Sequence, residues 1–168
     1  MVWEERDFQI LSSRVPSPFA PKKILVATDG SDNAKRAEEV AVKLAKEYGA
    51  ELTILDVVTE LVYFLSPPPT GVAPAFDQKD LFGTFEKEAR KLVDQSVQRA
   101  KAQGVKARGE VLHSIQSVVY EITHYAQDKD VNLIVIGTRG LGGFKRLLLG
   151  SVSSGVVTHA HCNVLVVK

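Results

Sequence analysis

The sequence predicts an α/β domain in which helices cover both faces of a parallel sheet. Two observations lead to this prediction. Short apolar runs alternate with segments of helical periodicity along most of the chain, and this alternation is typical of right-handed strand–helix–strand units. The first run, Lys23–Thr28, is apolar at consecutive positions, which indicates a strand buried on both faces. A chain of 168 residues has the size of one domain.

The individual elements follow from periodicity and from residues that start or stop helices. Ser31 can cap a helix from Asp32 to Tyr48, and Gly49 can end it in a left-handed conformation. The other predicted elements are four strands, Leu52–Val58, Lys106–Leu112, Asn132–Ile136 and Val164–Val167, and three helices, Lys79–Gln103, Ile115–Gln127 and Ser151–Ala160. Because ligands bind beyond the carboxyl ends of parallel strands, the loops that begin at Thr28 and Gly137 are the candidates for a site.

Two segments do not fit the alternation. Residues 1–21 are predicted to be an N-terminal extension, and residues 22–168 a single domain. Prolines at the end of the extension exclude a continuous helix or central strand there, so an arm docked on the domain and a disordered segment both remain open. The proline-rich stretch SPPPTGVAPAFD is predicted to be a loop. A lid over a ligand and a plain surface loop both remain open for it.

Composition excludes several classes of protein. The formal net charge is +1, without the basic stripe of a nucleic-acid binder or the polybasic patch of a membrane-surface protein. Four histidines and one cysteine are too few and too scattered for a zinc cluster. The N-terminal segment lacks a signal-peptide pattern, and a lone Cys162 suits a reducing compartment. We therefore expect a cytoplasmic protein with no nucleic-acid or membrane partner.

Gly137–Ser151, which reads GTRGLGGFKRLLLGS, is the segment that indicates chemistry most directly. Glycines let a backbone approach a ligand closely and turn its amides inward. Gly150 precedes a predicted helix, and the free N–H groups and positive dipole end of a helix start suit a phosphate. The segment therefore predicts a phosphate cradle; the alternative is a flexible loop before an ordinary capped helix. The sequence contains neither a P-loop nor a G-x-G-x-x-G motif after the first strand.

The same segment resembles a known family. Gly137-x-x-Gly140, nine further residues and then Gly150-Ser151 match, without a gap, the G-x2-G-x9-G-[ST] signature of the ATP-binding universal stress proteins. Residues 22–31, KKILVATDGS, look like the opening strand of that family, and residues 161–167, HCNVLVV, look like its closing strand. The resemblance extends over about residues 21–168.

The resemblance implies a five-stranded parallel sheet of order 3-2-1-4-5 and a bound ATP, ADP or AMP accompanied by Mg²⁺. Asp29 would face the ribose or the phosphate-bound cation, and Val57 would meet the adenine through its backbone. The nucleotide-binding residues that it implies are Ala27, Thr28, Asp29, Val57, Gly137, Thr138, Arg139, Gly140, Gly150, Ser151, Val152 and Ser153. The sequence departs from the family at Asp56, where histidine is common, and at Asn163, where proline is common. These departures bear on local packing more than on nucleotide binding.

Three functions remain open. The first is a regulatory nucleotide-binding protein of the stress response, which the resemblance implies to be a homodimer joined through the last strand, Val164–Val167. The second is a slow ATPase or autokinase; no residue stands out as a general base, so no catalytic residue is predicted and turnover should be weak. The third is a nucleotide-free interaction module. The pathway, the protein partner and the choice among adenine nucleotides remain open.

Overall fold

The computed structural model describes residues 20–59, 78–115, 117–141 and 149–168. Residues 1–19 of the predicted extension, the whole proline-rich loop and residues 142–148 of the glycine-rich segment lie outside these ranges. The strands are β1 (Lys23–Ala27), β2 (Glu51–Thr59), β3 (Ala107–Ser114), β4 (Leu133–Gly137) and β5 (Asn163–Val167), and the helices are α1 (Asp32–Tyr48), α2 (Gln78–Ala102), α3 (Val118–Asp128) and α4 (Ser151–His159).

The five strands form one parallel sheet in the order β3-β2-β1-β4-β5. This confirms the predicted fold class and strand order. β1 is the central strand, and Leu25 is in register with Thr53 on one side and Ile134 on the other. Its side chains from Ile24 to Val26 are at most 1% exposed, as the apolar run predicts for a strand covered on both faces.

Each face of the sheet has its own apolar core. Alternate residues of β1 point to opposite faces, so that Ile24 and Val26 join one core while Leu25 and Ala27 join the other. The first core contains residues of α1 and α2, and the second contains residues of α3 and α4. Helices therefore cover both faces, and the loops between strands and helices remain at the two ends of the sheet.

The predicted starts and stops of the helices are mostly correct. The Ser31 hydroxyl accepts a hydrogen bond from the Ala34 amide, and Gly49 ends α1 with a φ of 61°. The predicted start of the third helix at Ile115 is wrong. β3 continues to Ser114, and α3 begins only after Ser117, whose hydroxyl accepts a hydrogen bond from the Tyr120 amide.

In the ranges that are described, no helix combines the length and the apolar character that a bilayer crossing requires.

Candidate functional site

The carboxyl ends of β1 and β4 lie side by side at the centre of the sheet. From β1 the chain continues to the neighbour on one side, β2, whereas from β4 it continues to the neighbour on the other side, β5. The loops that leave the two strands therefore diverge and open a crevice between them, which is where ligands bind in sheets of this type. Both loops that the sequence singled out begin here.

Asp29 joins the two loops. One of its carboxylate oxygens, Oδ1, accepts a hydrogen bond from the Ser31 amide at 3.0 Å. The other, Oδ2, accepts a hydrogen bond at 2.9 Å from the amide of Leu141, which follows the second glycine of the motif. Since a carboxylate strengthens hydrogen bonds from backbone amides, Asp29 fixes the start of the glycine-rich segment against the turn after β1.

Two glycines of the motif lie where contacts inside the protein leave little room for a side chain. A Cβ atom on Gly140 would lie 2.2 Å from Oδ2 of Asp29, and one on Gly137 would lie 2.9 Å from backbone atoms of Asn33 at the start of α1. A side chain at either position would force a neighbour to shift, which is the carboxylate end of Asp29 for Gly140 and the backbone of Asn33 for Gly137. The absence of a side chain at 140 thus permits the Asp29 contact, while its absence at 137 permits α1 to pack on β4.

The two ends of the glycine-rich segment are held together by one carbonyl group. The Thr138 carbonyl accepts hydrogen bonds from the Gly150 amide at 2.7 Å and from the Ser153 hydroxyl at 2.9 Å. The Thr138 amide in turn donates to the Val167 carbonyl at 2.8 Å. The segment therefore leaves β4 and returns to α4 at nearly the same point, so that the amino end of α4 borders the crevice.

α4 begins differently from α1 and α3. Its N-cap is Gly150, which has no side chain to accept hydrogen bonds, and no other side-chain cap bonds to its first turn within the described part of the chain. α1 and α3, by contrast, are capped by serine hydroxyls. A helix start exposes N–H groups and a partial positive charge, so an uncapped one beside a crevice suits an anion such as a phosphate.

Comparison with known proteins agrees with this geometry. The model of the universal stress protein family matches residues 21–168. The chain belongs to the universal stress protein family. It is 39% identical over 148 residues to universal stress protein YxiE of Bacillus subtilis, covering 87% of this chain and 98% of that protein. It is 36% identical over 147 residues to a universal stress protein of Methanocaldococcus jannaschii, covering 88% of this chain and 82% of that protein.

Solved structures of the family share the fold. The universal stress protein UspA of Lactobacillus plantarum has a TM-score of 0.73 and 31% identity, with 88% of this chain and 97% of that chain covered. A universal stress protein solved in complex with cAMP has a TM-score of 0.66 and 24% identity, with 89% and 99% covered. One from Archaeoglobus fulgidus in complex with dAMP has a TM-score of 0.62 and 21% identity, with 89% and 100% covered.

The structure brings most of the family's expected site residues to one place. The end of β1, the end of β4 and the start of α4 are connected by the contacts described above, which involve Asp29, Thr138, Gly140 and Gly150. Arg139 lies between these points and is half-buried, while Ser151 is exposed at the first position of α4. Their assignment to nucleotide binding stays a prediction.

Other expected site residues have side chains that are already engaged. The side chains of Ala27 and Val152 pack in the core between the sheet and α3 and α4. The Ser153 side chain is 2% exposed, and its hydroxyl hydrogen is directed at backbone carbonyls. The Thr28 hydroxyl donates to Glu38 at 2.6 Å. A ligand would therefore meet Val152 and Ser153 mainly through their amides.

Val57 offers its backbone rather than its side chain, which packs against the second core. The Leu55 carbonyl accepts a hydrogen bond from the Thr28 amide, where β1 ends. Backbone groups of alternate residues in a strand point to the same side, so the N–H and C=O of Val57 point beyond the end of β1. The N–H contacts the Asp56 carboxyl group, so the C=O is the group of Val57 left for the predicted contact with adenine, which stays a prediction.

The sequence marked Asp56 only as a departure from the family. Its carboxyl group has a strongly shifted pKa. Burial of its carboxyl group raises its pKa from 3.8 to about 6, the Val57 amide opposes this shift, and the negative charge of Asp29 adds to it. In water an aspartate is ionised near neutral pH, so a group with this pKa changes charge close to physiological conditions.

Glu38 is a second buried acid that sequence reasoning missed. It lies on the inner face of α1, is 6% exposed, and contacts both Thr28 and the Arg99 guanidinium of α2. A signal was available, because Glu38 follows Ala34 by four residues and precedes Ala41 by three. Those are the spacings of one helix face.

The fit of Mg²⁺ depends on Asp29. Both of its carboxylate oxygens accept backbone hydrogen bonds, but each oxygen has a second lone pair, which leaves a weak donor set for a cation. Among the described residues, no group of three or more His, Cys, Asp or Glu side chains could hold a metal ion. Among the described residues, Asp29 is therefore the group that would face a Mg²⁺ ion carried by bound phosphates, and its donor set alone is too small to hold the ion.

Proposed function

We propose that this universal stress protein binds an adenine nucleotide, ATP by preference, in the crevice between β1 and β4, and that occupancy regulates a cytoplasmic homodimer in a stress response. The observation that carries the proposal is the uncapped amino end of α4, which the Thr138 carbonyl holds beside the crevice. Family membership supports the same reading.

The phosphate chain would lie against the amino end of α4. The amides of Ser151, Val152 and Ser153 belong to the first turn, whose N–H groups have no partner within a helix. No negatively charged side chain occupies this turn, so an anionic ligand meets no competing charge there. Glycine at position 150 leaves this end open to a ligand, since a side chain that could cover the amides is missing.

The adenine would lie at the other end of the crevice, against β2. The backbone C=O of Val57 points beyond the end of β1 and can accept a hydrogen bond from the amino group of an adenine, whereas its N–H already contacts the Asp56 carboxyl group. The complexes of family members with cAMP and dAMP support an adenine ligand. ATP and its Mg²⁺ are our proposal on the basis of the glycine motif.

A homodimer would form through β5. This strand is at the edge of the sheet, and its residue Leu165 is 36% exposed. Edge strands offer unpaired backbone groups that a second copy can satisfy, and the strand is apolar enough to bury. Sedimentation at micromolar concentration tests this part separately, and a protein that stays monomeric with and without ATP would contradict it.

The ligand class is tested by thermal unfolding with ATP, AMP, GTP and NAD, each with and without Mg²⁺. A ligand at about 100 times its Kd stabilises the native state by ~2.7 kcal/mol, which raises Tm by roughly 5–10 °C in a domain of this size. We expect this rise with ATP and not with GTP. The absence of a rise with every nucleotide would contradict the proposal and favour an interaction module, and ATP turnover near ~1 s⁻¹ would favour an enzyme instead.

A further inference from the structure

A chain of hydrogen bonds links the outer face of α2 to the turn after β1. The Arg99 guanidinium donates to the Ser96 hydroxyl at 2.7 Å and to Oε2 of Glu38 at 3.0 Å. The other oxygen of Glu38, Oε1, accepts from the Thr28 hydroxyl at 2.6 Å. Thr28, Glu38 and Ser96 are 6%, 6% and 2% exposed, so most of this polar chain is buried in the core of α1 and α2.

Stability alone is a poor reason for this arrangement. A carboxylate loses several kcal/mol of solvation on burial, and a buried ion pair is often no more stable than apolar side chains of similar volume. The neighbours of Glu38 on the inner face of α1 are the apolar residues Ala34, Ala37, Ala41 and Val42. An apolar residue at position 38 would therefore extend this core.

The contact with Glu38 determines which way the Thr28 hydroxyl points. A hydroxyl has one hydrogen and two lone pairs, and a carboxylate can only accept. The hydrogen must therefore point to Glu38, which turns a lone pair of Thr28 toward the Gly30 amide at 3.3 Å. Gly30 has a φ of 76°, so this contact holds the residue at which the turn reverses.

The turn controls the glycine-rich segment through Asp29. Asp29 lies between Thr28 and Gly30, and its Oδ2 accepts from the Leu141 amide at 2.9 Å. A tilt of the turn would displace this oxygen, and Gly140 is close enough to it that a Cβ there would lie 2.2 Å away. The position of Gly140 and Leu141, at the start of the segment, thus depends on the same turn that Glu38 holds.

We propose that Glu38 is a positioning residue for the nucleotide site: it orients the Thr28 hydroxyl, and so fixes the turn from which Asp29 holds the start of the glycine-rich segment at Leu141. Its effect on nucleotide affinity rests on the proposed function, whereas its effect on the turn does not. This role needs an oxygen that accepts the hydrogen bond from Thr28. Glu38→Gln should therefore keep the positioning role, and Glu38→Met, which has a similar volume, should lose it.

The test uses the full chain as wild type, E38Q, E38M and the double variant T28V/E38M, which leaves no buried hydroxyl without a partner. Val97→Ala is the matched control, since Val97 lies in the same core and takes no part in these hydrogen bonds. The first measurement is hydrogen exchange of the Gly30, Ser31 and Leu141 amides by NMR without nucleotide. We expect protection as in wild type for E38Q and V97A, and at least tenfold faster exchange for both methionine variants.

The second measurement is the Kd for ATP by calorimetry. We expect E38Q and V97A within about threefold of wild type, and the methionine variants at least tenfold weaker. Unchanged amide protection in T28V/E38M would overturn the role of Glu38 whether or not the protein binds ATP. Wild-type protein that fails to bind ATP, while the methionine variants still lose amide protection, would overturn the proposed function and leave the positioning role intact.

Discussion

Replacing Asp56 by Asn should stabilise the protein, and more so at high pH. The carboxyl group of Asp56 has a folded-state pKa of about 6 against 3.8 in water, mainly because it is partly buried. For an acid whose pKa is raised by folding, the folded state favours the protonated form. Its contribution to stability is therefore fully present below pH 3.8 and is lost as the pH rises through about 6.

The shift determines the size of the effect. A difference of 3.8 to about 6 corresponds to about 3 kcal/mol at ~1.4 kcal/mol per pKa unit. Asn keeps the oxygen that faces the Val57 amide and cannot ionise, so D56N should be more stable than wild type by up to about 3 kcal/mol at pH 8. At pH 5, where the wild-type group is largely protonated, the gain should fall to roughly half of that.

The assay is guanidinium unfolding of the nucleotide-free wild type and D56N at several values between pH 5 and pH 8. Glu51, Glu86 and Asp128 have pKa values lowered by their partners Lys106, Arg90 and Lys129, so they favour folding at high pH. They are present in both proteins, and their effects cancel in the difference. A free-energy difference that does not change with pH, or a D56N variant less stable than wild type at pH 8, would refute this reasoning.

Three further changes have defined outcomes. Gly140→Ala would place a Cβ 2.2 Å from Oδ2 of Asp29, so we expect a lower Tm and weaker ATP binding in the same variant; an unchanged Kd would show that this contact is dispensable. Ser31→Ala removes the cap of α1 and should lower stability by ~1 kcal/mol, a fall of about 2–4 °C in Tm, with no fall if water replaces the hydroxyl fully. Leu165→Lys puts a charge at an exposed position of the edge strand β5 and should shift sedimentation toward monomer, whereas an unaffected dimer would place the interface elsewhere.

The fold was predictable because its signals are local. β1, β4 and β5 are mainly apolar runs. The two ends of α1 are marked by the Ser31 hydroxyl, which caps the helix, and by Gly49, which ends it in a left-handed conformation, and both signals depend only on nearby residues. The start of α3 was missed because Ile115 also suits an apolar helix face. The helix begins after Ser117, which caps it, because β3 continues to Ser114 and leaves no room for a helical turn at Ile115.

The glycine motif located the candidate site, but its internal contacts could not be predicted. Asp29 and Leu141 are 112 positions apart, and Arg99 and Glu38 are 61 apart. No periodicity or spacing connects such residues, since only the order of strands in the sheet brings them together. The pKa of Asp56 is of the same kind, because it depends on how other parts of the chain bury one carboxyl group.

The most direct test of nucleotide binding at the amino end of α4 is calorimetric titration of ATP into Ser151→Asp and Ser151→Asn. The two variants have nearly the same shape and differ in charge at an exposed first-turn position. An acidic residue there stabilises a helix by about 0.3–1 kcal/mol, so S151D should keep or raise Tm. We predict that S151N binds ATP within about threefold of wild type, while S151D binds at least tenfold more weakly, a difference of ~1.4 kcal/mol or more. Equal affinity of the two variants for ATP would contradict the account, because it would show that the phosphates do not lie at this helix end.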